Sequence, residues 1–416
     1  MMETHTEGEA SITLKEGVFL NPAQVFNRDI SVLVASEYAK STQKQILKVL
    51  EPLAASGIRS IRYSKELTAE EVQVHANDIS SSAFEEITHN FKTNSVTGTV
   101  SQMEAKGLMQ SCEAQDIIDI DPYGSCAEFL DSCVQAVCNE GLLCITSTDM
   151  GTLCGNSPDT CFYKYQSIPS KNKYCHEFAL RILLYQLNAT ANKYQKVIQP
   201  LLSLSVDFYV RVFVVVSKSA KEAKKSVEKS GLVLECRSCP AFYVQKLGKS
   251  ATLEFGKNCQ ECGGALSIHG PIYLGPLHCK PFVENCLDSL ETYNLKTCKK
   301  VRGVLTAVHL ETETPLYWNF NSLAKFFKTP NIPQKKIRSA FKSLELEISQ
   351  SHTKPYNFKT NASVEQVFQV MKAWKDSSES SINFSMDLED QERQVLKVGR
   401  YTPNPRNWGP KSRPKP

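Results

Sequence analysis

No apolar run in this 416-residue chain reaches the roughly 20 residues needed to cross a bilayer, and no membrane partner is expected. No internal repeat is visible. Charge of one sign is not in large excess either: 48 Lys and Arg face 44 Asp and Glu, and a net of +4 is too weak by itself to imply nucleic acid. Met1 to Ala10 is polar and acidic, unlike a secretory signal or a transit peptide. Without such a signal, the 15 cysteines point to a reducing compartment, where thiols stay free or bind metal. What is present is length for two or three domains and 41% hydrophobic residues, enough for a sizeable core.

Residues 45–150 alternate short apolar runs with helical stretches. Strands are expected at Leu47–Pro52, Val72–Asp78, Gly98–Gln102, Asp116–Asp121 and Leu142–Thr148, with helices such as Ser82–Thr93 and Ala127–Cys138 between them. Strands separated by helices imply βαβ units and a parallel α/β sheet. Residues 172–199 read as one helix or two. Phe208 to Val216 is the strongest β run, long and apolar enough to close the same sheet. Ser217 to Ser230 is rich in Lys and Ser and suggests a boundary. The expected organisation is therefore a sheet domain at 1–230, a cysteine-bearing module at 231–285, a basic α+β domain at 286–376 and a tail at 377–416. That tail turns polar after Asp376 and ends basic and Pro-rich, from Pro403 to Pro416.

The first expected strand runs into Glu51-Pro52-Leu53-Ala54-Ala55-Ser56-Gly57-Ile58-Arg59. A small-residue turn before a helix lets backbone amides approach a ligand, and Gly57 is the candidate that permits it. Asp78 ends the second strand, 21 residues after Gly57. It suits either the ribose hydroxyls of a nucleoside or a helix N-cap. The third strand ends near Gln102-Met103-Glu104-Ala105, where an adenine would lie in such a fold, though a surface loop fits the spacing as well.

The fourth strand ends in Asp119-Ile120-Asp121-Pro122-Tyr123-Gly124. The carboxyl edge of a parallel sheet is where ligands bind. An exocyclic base amine is a poor nucleophile because its lone pair is delocalised. A carboxylate such as Asp121 can accept its hydrogen bond and later its proton. Pro122 fixes the backbone and offers no competing N–H. Tyr123 offers a flat surface for a flipped base. A tight turn after a buried strand is the plainer reading of Asp-Pro.

Cys236-x2-Cys239 and Cys259-x2-Cys262 are separated by 19 residues, a strong zinc-ribbon signal. Four thiolates would make a closed, structural Zn2+ site. The other eleven cysteines fall mostly in apolar stretches and read as core thiols, with Cys279 beside His278 a weak extra ligand. From Lys299 to Lys375 there are 13 Lys or Arg against 5 Asp or Glu. Leu323–Thr329 and Pro333–Leu344 read as helices and Leu346–Lys359 as a hairpin, a winged-helix-like order. Lys335, Lys336, Arg338 and Lys342 recur at near-helical spacing and suit either phosphate contacts or a solvated face.

Taken together, the chain resembles the tRNA (guanine-N2) dimethyltransferases, with wording most similar to the animal dimethyltransferase-like paralogue. The resemblance rests on Glu9 and Phe19 through Asn21-Pro22 to Asn27-Arg28-Asp29; Ser56-Gly57-Ile58-Arg59 with Arg62-Tyr63; Asn77-Asp78-Ile79; and Asp121 to Ser125. It continues through Thr148-Asp149-Met150, Gly155-Asn156, Lys164-Tyr165, Cys175-His176-Glu177, Pro200 to Ser203 and Tyr209 to Val212. Ser351-His352 and Thr360-Asn361-Ala362 match without an assignable role, and Pro403-Asn404-Pro405 and Asn407 to Pro410 also fit. The resemblance implies a class I, Rossmann-like methyltransferase sheet with a zinc-ribbon-like insert. It implies S-adenosyl-L-methionine held by Arg28, Arg62, Asp78 and the Glu104-Ala105 pair, with Asp121 catalytic. The implied substrate is the guanine at the junction of the D-arm and anticodon arm of tRNA, receiving one methyl or two. The basic tail and the paralogue resemblance suit the nucleus or nucleolus, with the cytoplasm as alternative. Two positions depart from the family: Glu104 stands where Asp is usual, and Cys126 where Pro is usual, which is expected to loosen the loop after Tyr123. These departures motivate a rival reading, a weakly active or inactive tRNA-binding or chaperone-like paralogue. A methyltransferase for an exocyclic amine in DNA or protein is a third.

Overall fold

Period-2 and period-3.6 patterns alternate along the first half of the chain, and each apolar face needs a partner to cover it. In the computed structural model, residues 3–14, 21–249, 258–354, 356–376 and 382–385 are described. Phe19, residues 377–381 and the motifs between Pro403 and Pro416 lie outside the described residues.

A hairpin of β1 (Glu3–Glu7) and β2 (Ala10–Leu14) precedes α1 (Val25–Thr42). Then follow β3 (Ile46–Glu51), α2 (Ile58–Glu66), β4 (Glu71–Asn77), α3 (Ser81–Thr93), β5 (Gly98–Ser101), α4 (Ala105–Ser111), β6 (Gln115–Ile120), α5 (Leu130–Ala136) and β7 (Val137–Ser147). The last elements of this unit are α6 (Met150–Leu153), α7 (Pro158–Tyr165), α8 (Cys175–Lys193), β8 (Lys196–Val206) and β9 (Tyr209–Lys218). The seven-stranded sheet has the order β5-β4-β3-β6-β7-β9-β8. Strands β5 to β7 are parallel, and β9 runs antiparallel between β7 and β8. This is the Rossmann-like α/β arrangement expected, with β3 and β6 adjacent at its centre.

Two expectations change. The run at 208–216 does not close the sheet, because β8 takes the edge beyond it. Residues 196–199 leave the helix and enter that strand, after Gln195 turns with φ of 56°. Pro200 is tolerated there because β8 is an edge strand with an irregular register after Pro200. The helix expected to reach Cys138 stops at Ala136, and Val137 begins β7 with no intervening loop.

Helices α5 and α8 cover one face of the sheet in the core that holds Leu130, Leu180, Leu184, Val212 and Val214. The other face packs α1 through Phe26, Ile30 and Leu33. Beside α1 lie α10 (Lys280–Asp288) and α11 (Cys298–His309), introduced after the cysteine module. Helix α10 therefore runs across residue 285. Val301, Val304, Leu305 and Val308 of α11 form an apolar stripe at helical spacing, and this sheet face is the apolar surface that buries it.

Between these parts, α9 (Ala220–Lys224) leads into a three-stranded antiparallel sheet of β10 (Ser230–Cys236), β11 (Phe242–Lys246) and β12 (Leu266–Tyr273), ordered β11-β10-β12. The last module contains β13 (Trp318–Asn319), α12 (Phe320–Phe327), α13 (Gln334–Lys342), the hairpin β14 (Ile348–Gln350) and β15 (Asn357–Thr360), and α14 (Val364–Asp376). Two helices followed by a hairpin is the winged-helix-like order expected. Phe320, Ile337, Phe341, Phe358 and Met371 fill its interior. No helix among the described residues is long and apolar enough to cross a membrane.

Candidate active site

The carboxyl edges of β3, β4 and β6 open on one cleft, lined among others by Arg28, Glu51, residues 53–56, Asp78, Asp121, Pro122 and Tyr123. The turn after β3 is tied to β4: the Ala54 amide donates to the Asn77 carbonyl at 2.8 Å, and the Gly57 amide to the Ala54 carbonyl at 2.8 Å. Gly57 begins α2 with φ of 75°, and a Cβ there would come within 3.2 Å of the Ile87 side chain. Glycine is thus needed at this position for its backbone and for the approach of α3.

Asp78 faces the cleft. One carboxylate oxygen accepts from the Ala55 amide at 3.0 Å and the other from the Ser80 amide at 3.0 Å. Ser80, not Asp78, caps α3. Asn77 was not assigned a role from the sequence. Its side chain donates to the carbonyls of Pro52 and Met103 and accepts from Ser101, binding the ends of β3, β4 and β5 together. Glu104 and Ala105 do not line the cleft. Glu104 is exposed and caps α4 by accepting from the Gly107 amide at 2.8 Å, and Ala105 is buried under that helix. A carboxylate of either length can make such a cap, so Glu in place of Asp leaves the local fold intact.

Asp119 and Asp121 alternate with Ile120 and so point to the same face of β6. Asp119 is fully buried and accepts from both Arg211 guanidinium nitrogens, at 2.9 and 2.6 Å, and from the Tyr63 hydroxyl at 2.5 Å. Burial pushes its carboxyl up, but the charges of Arg211 and Arg59 outweigh this and hold it at about 2. Arg59, on the first turn of α2, reaches Asp119 at 3.2 Å and Glu51 at 3.3 Å, and donates directly to Asp121. Burial pushes the Glu51 carboxyl up to about 8; the Arg59 charge opposes this and Asp119 and Asp121 add to it. Glu51, Arg59, Asp119 and Arg211, like Asn77, carry no role in the sequence reading. The available signal was charge inside apolar segments, as at Asp119 between Ile118 and Ile120 and at Arg211 in the 208–216 run.

The loop after Tyr123 is firmly held. Gly124 has φ of 84°, its amide donates to the Thr148 hydroxyl at 2.8 Å, and the Thr148 amide returns a bond to its carbonyl at 2.9 Å. The Tyr165 hydroxyl donates to Asp149 at 2.9 Å and accepts from Ser125 at 2.7 Å. Cys126 is fully buried, and burial pushes its thiol up to about 12. The loosening expected from Cys126 is not seen, because these bonds rather than residue 126 fix the loop. Tyr123 is half exposed beside the cleft.

The two arginines implied by resemblance separate. Arg28 lines the cleft, with both ends of its guanidinium bound to Glu7 at 2.6 Å. Burial raises the Glu7 carboxyl, yet Arg28 and then His5 bring it down to about 2. Arg62 is fully buried outside the cleft, bound to Asp29 at 2.7 Å and to Glu66 at 2.8 Å. Asp29 also accepts from the Thr297 amide and hydroxyl, both at 2.7 Å. Arg62 therefore secures α1, α2 and the start of α11, and its burial leaves it no reach to a ligand.

The four cysteines of the double knuckle converge. Their sulfur atoms all lie within 4.8 Å of one another, with Cys236 and Cys262 3.4 Å apart and Cys239 and Cys259 3.7 Å apart. A tetrahedral zinc with Zn–S near 2.3 Å has S–S edges of about 3.8 Å, so the donor set fits. Gly263 makes the knuckle turn with φ of 71°. Cys279 is not part of this group. His278 instead packs edge-on against His352, with ring centroids 5.6 Å apart. His352 pairs with Glu311 at 2.8 Å and accepts from the Ser205 amide at 3.1 Å, and Lys359 lies 3.2 Å from Glu311. The Ser351-His352 motif thus bolts the last module to β8.

On α13, Lys335 and Lys336 are exposed and Lys342 is half-buried. Lys336 lies over the Trp374 ring at 5.1 Å. Arg338, expected on the basic face, is instead buried, with its guanidinium 5.6 Å from the Phe358 ring centroid, because it shares the helix face of the core residue Phe341. It offers no surface to a phosphate.

A family model described as N2,N2-dimethylguanosine tRNA methyltransferase matches residues 2–372. The human tRNA (guanine(26)-N(2))-dimethyltransferase is 34% identical to this chain, the match covering 99% of the chain and 78% of that protein. The Schizosaccharomyces pombe protein of that name is 32% identical over 98% of the chain and 92% of its own length. Among solved structures, Trm1 from Pyrococcus horikoshii in complex with S-adenosyl-L-methionine superposes with a TM-score of 0.77 at 28% identity, covering 89% of this chain and 99% of that one.

Proposed function

The chain belongs to the N2,N2-dimethylguanosine tRNA methyltransferase family, and from that premise we propose that it methylates the exocyclic N2 of a guanine in tRNA, at the D-arm/anticodon-arm junction. The product is N2-methylguanosine or N2,N2-dimethylguanosine. The observation that carries this reading is Asp121, at the carboxyl edge of β6, facing the same cleft as Asp78 and fixed by Arg59.

S-adenosyl-L-methionine supplies an electrophilic methyl on a sulfonium. The residues present fit it: Asp78 is placed for ribose hydroxyls, the turn at 53–56 offers a close backbone approach, and Arg28 and Asp121 border the same space. Because Arg59 uses one carboxylate oxygen of Asp121, the other is left to accept an N–H of the guanine amine. That bond would orient the nitrogen lone pair; as the C–N bond formed, the methyl's C–S bond would break, the sulfur would leave as a neutral thioether, and the carboxylate would take the amine proton. Pro122 keeps a competing donor out of the site, and Tyr123 presents its ring to the guanine face. Most of the rate enhancement comes from positioning, since in-line displacement needs two groups held in register. Cys236, Cys239, Cys259 and Cys262 hold a structural Zn2+ in this reading. A nuclear setting, resting on the basic tail, belongs to the same proposal.

The test uses the purified chain, methyl-labelled S-adenosyl-L-methionine and a tRNA transcript with guanine at the junction. Label should enter that transcript and not one with adenine there. Equal labelling of both would reject the assignment of the substrate.

A further inference from the structure

A nucleotide must be lifted out of stacked RNA to reach Asp121, and its neighbours then need somewhere to go. Among the described residues, ten large apolar side chains are exposed, and five of them, Ile79, Met103, Tyr123, Phe162 and Tyr163, follow the carboxyl ends of β4, β5, β6 and β7. Ile79 and Met103 stand on the Asp78 side of this edge. Phe162 and Tyr163 stand on the other side, on α7, and are 47% and 69% exposed. No step described so far uses them.

Helix α7 is fixed to the reaction centre. Tyr165, two residues after Tyr163, is buried and accepts the Ser125 hydroxyl at 2.7 Å, and Lys164 lies 3.7 Å from Asp149. The two exposed rings therefore stand on a helix whose last residue is bonded to the loop after Tyr123. Basic residues lie on the segments that adjoin this helix. A Cβ on Gly155, just before α7, would come within 3.0 Å of the Lys171 amide, so that segment lies against the start of the helix. Lys173 follows, its carbonyl accepting from Tyr317 at 3.0 Å. Lys354 is exposed on the last module, which meets this segment through that Tyr317 bond. Lys171, Lys173 and Lys354 are exposed, and none pairs with a carboxylate among the described residues.

We infer that Phe162 and Tyr163, with Lys164, Lys171, Lys173 and Lys354, form the surface that receives the tRNA strand next to the target guanine. The rings stack unpaired bases and the lysines bind the phosphates between them. This rests on the methyltransferase reading and deepens it by naming where the substrate lies. It also gives the last module a part in substrate binding through Lys354. Exposed aromatic rings together with the exposed Lys171, Lys173 and Lys354 suit single-stranded RNA better than an acidic protein, which would leave the rings without a stacking partner.

The test compares the full chain with a Phe162→Ala/Tyr163→Ala double variant and a Lys171→Glu/Lys173→Glu/Lys354→Glu triple variant. These positions are exposed, so folding should survive. The probes are an unmodified tRNA transcript, read by gel shift and by steady-state methyl transfer, and S-adenosyl-L-methionine, read by calorimetry. The double variant should raise the KM for tRNA at least tenfold and leave the Kd for S-adenosyl-L-methionine unchanged. The triple variant should reduce the slope of log affinity for tRNA against log salt by about one per lysine. Parental tRNA affinity and salt slope in both variants would overturn the inference, and the surface would then suit a protein. Failure of the parent chain to methylate tRNA would instead count against the proposed function, and the gel shift would still read the surface.

Discussion

Arg59 donates to Asp121 from inside the protein, while the rest of its guanidinium is taken by Asp119 and faces Glu51. One buried cation thus sets the position of the carboxylate at the reaction centre. Removing it leaves Glu51 and Asp121 without their cation, and Asp119 with Arg211 alone. Arg59→Ala is expected to lower stability by about 3–5 kcal/mol in denaturant melts, the usual scale for breaking a buried ion pair. Arg59→Lys keeps the charge but cannot reach three carboxylates in a planar fork. It should fold, and lose at least about tenfold in kcat with little change in the Kd for S-adenosyl-L-methionine.

Glu51 gives a pH signature. Its carboxyl titrates at about 8 in the folded protein against 4.5 for an ordinary glutamate. Between those values the folded chain keeps a proton that the unfolded chain has released, so this group makes stability fall as pH rises from 4.5 through about 8. Glu51→Gln removes that contribution. Urea melts should show the variant gaining on the parent from pH 5 to pH 9. A parallel decline of the two proteins would show that Glu51 is not the source.

Asp78 accepts from two backbone amides at 3.0 Å and borders the cleft. Asp78→Ala should raise the Kd for S-adenosyl-L-methionine at least tenfold by calorimetry, while tRNA affinity in gel shifts stays at the parental value. Equal losses in both would mean that the turn at 53–56 had collapsed.

The four sulfur atoms of the double knuckle predict one zinc per chain by metal analysis. Cys239→Ser should abolish zinc retention and lower the melting temperature, because zinc binding contributes folding free energy to such modules. A variant chain that keeps its zinc would show that the metal sits elsewhere.

How much of this was legible beforehand varied with the physics. A strand buried on both faces, as β6 is, shows as an apolar run, while β4 alternates and the half-exposed β5 is marked by its place between helical stretches; β3 to β7 are thus legible within a residue or two, except at the start of β7, and Asp121 and Asp78 fall where strand ends put them. The cysteine pairs were legible because metal geometry fixes their spacing. Strand β8 was not, since Lys196–Val206 carries a proline and follows a long helix without a turn signal. The pairing of Arg59, Asp119 and Arg211 was hidden for another reason: Arg59 and Arg211 stand 152 positions apart and meet only through the sheet register. Arg62 and Arg338 show the converse error. A charged residue in a family motif or on a basic helix reads as facing a ligand, and the structure buries both. The α7 rings escaped notice because exposure is not written in a sequence.

The most direct measurement is mass spectrometry of nucleosides from a tRNA transcript incubated with S-adenosyl-L-methionine and either the parent chain or Asp121→Asn, which keeps the side-chain shape but not the base. The account predicts N2-methylated guanosine with the parent, and at least a hundredfold less with the variant at unchanged cofactor and tRNA affinity. Equal N2-methylguanosine from the two proteins would contradict it.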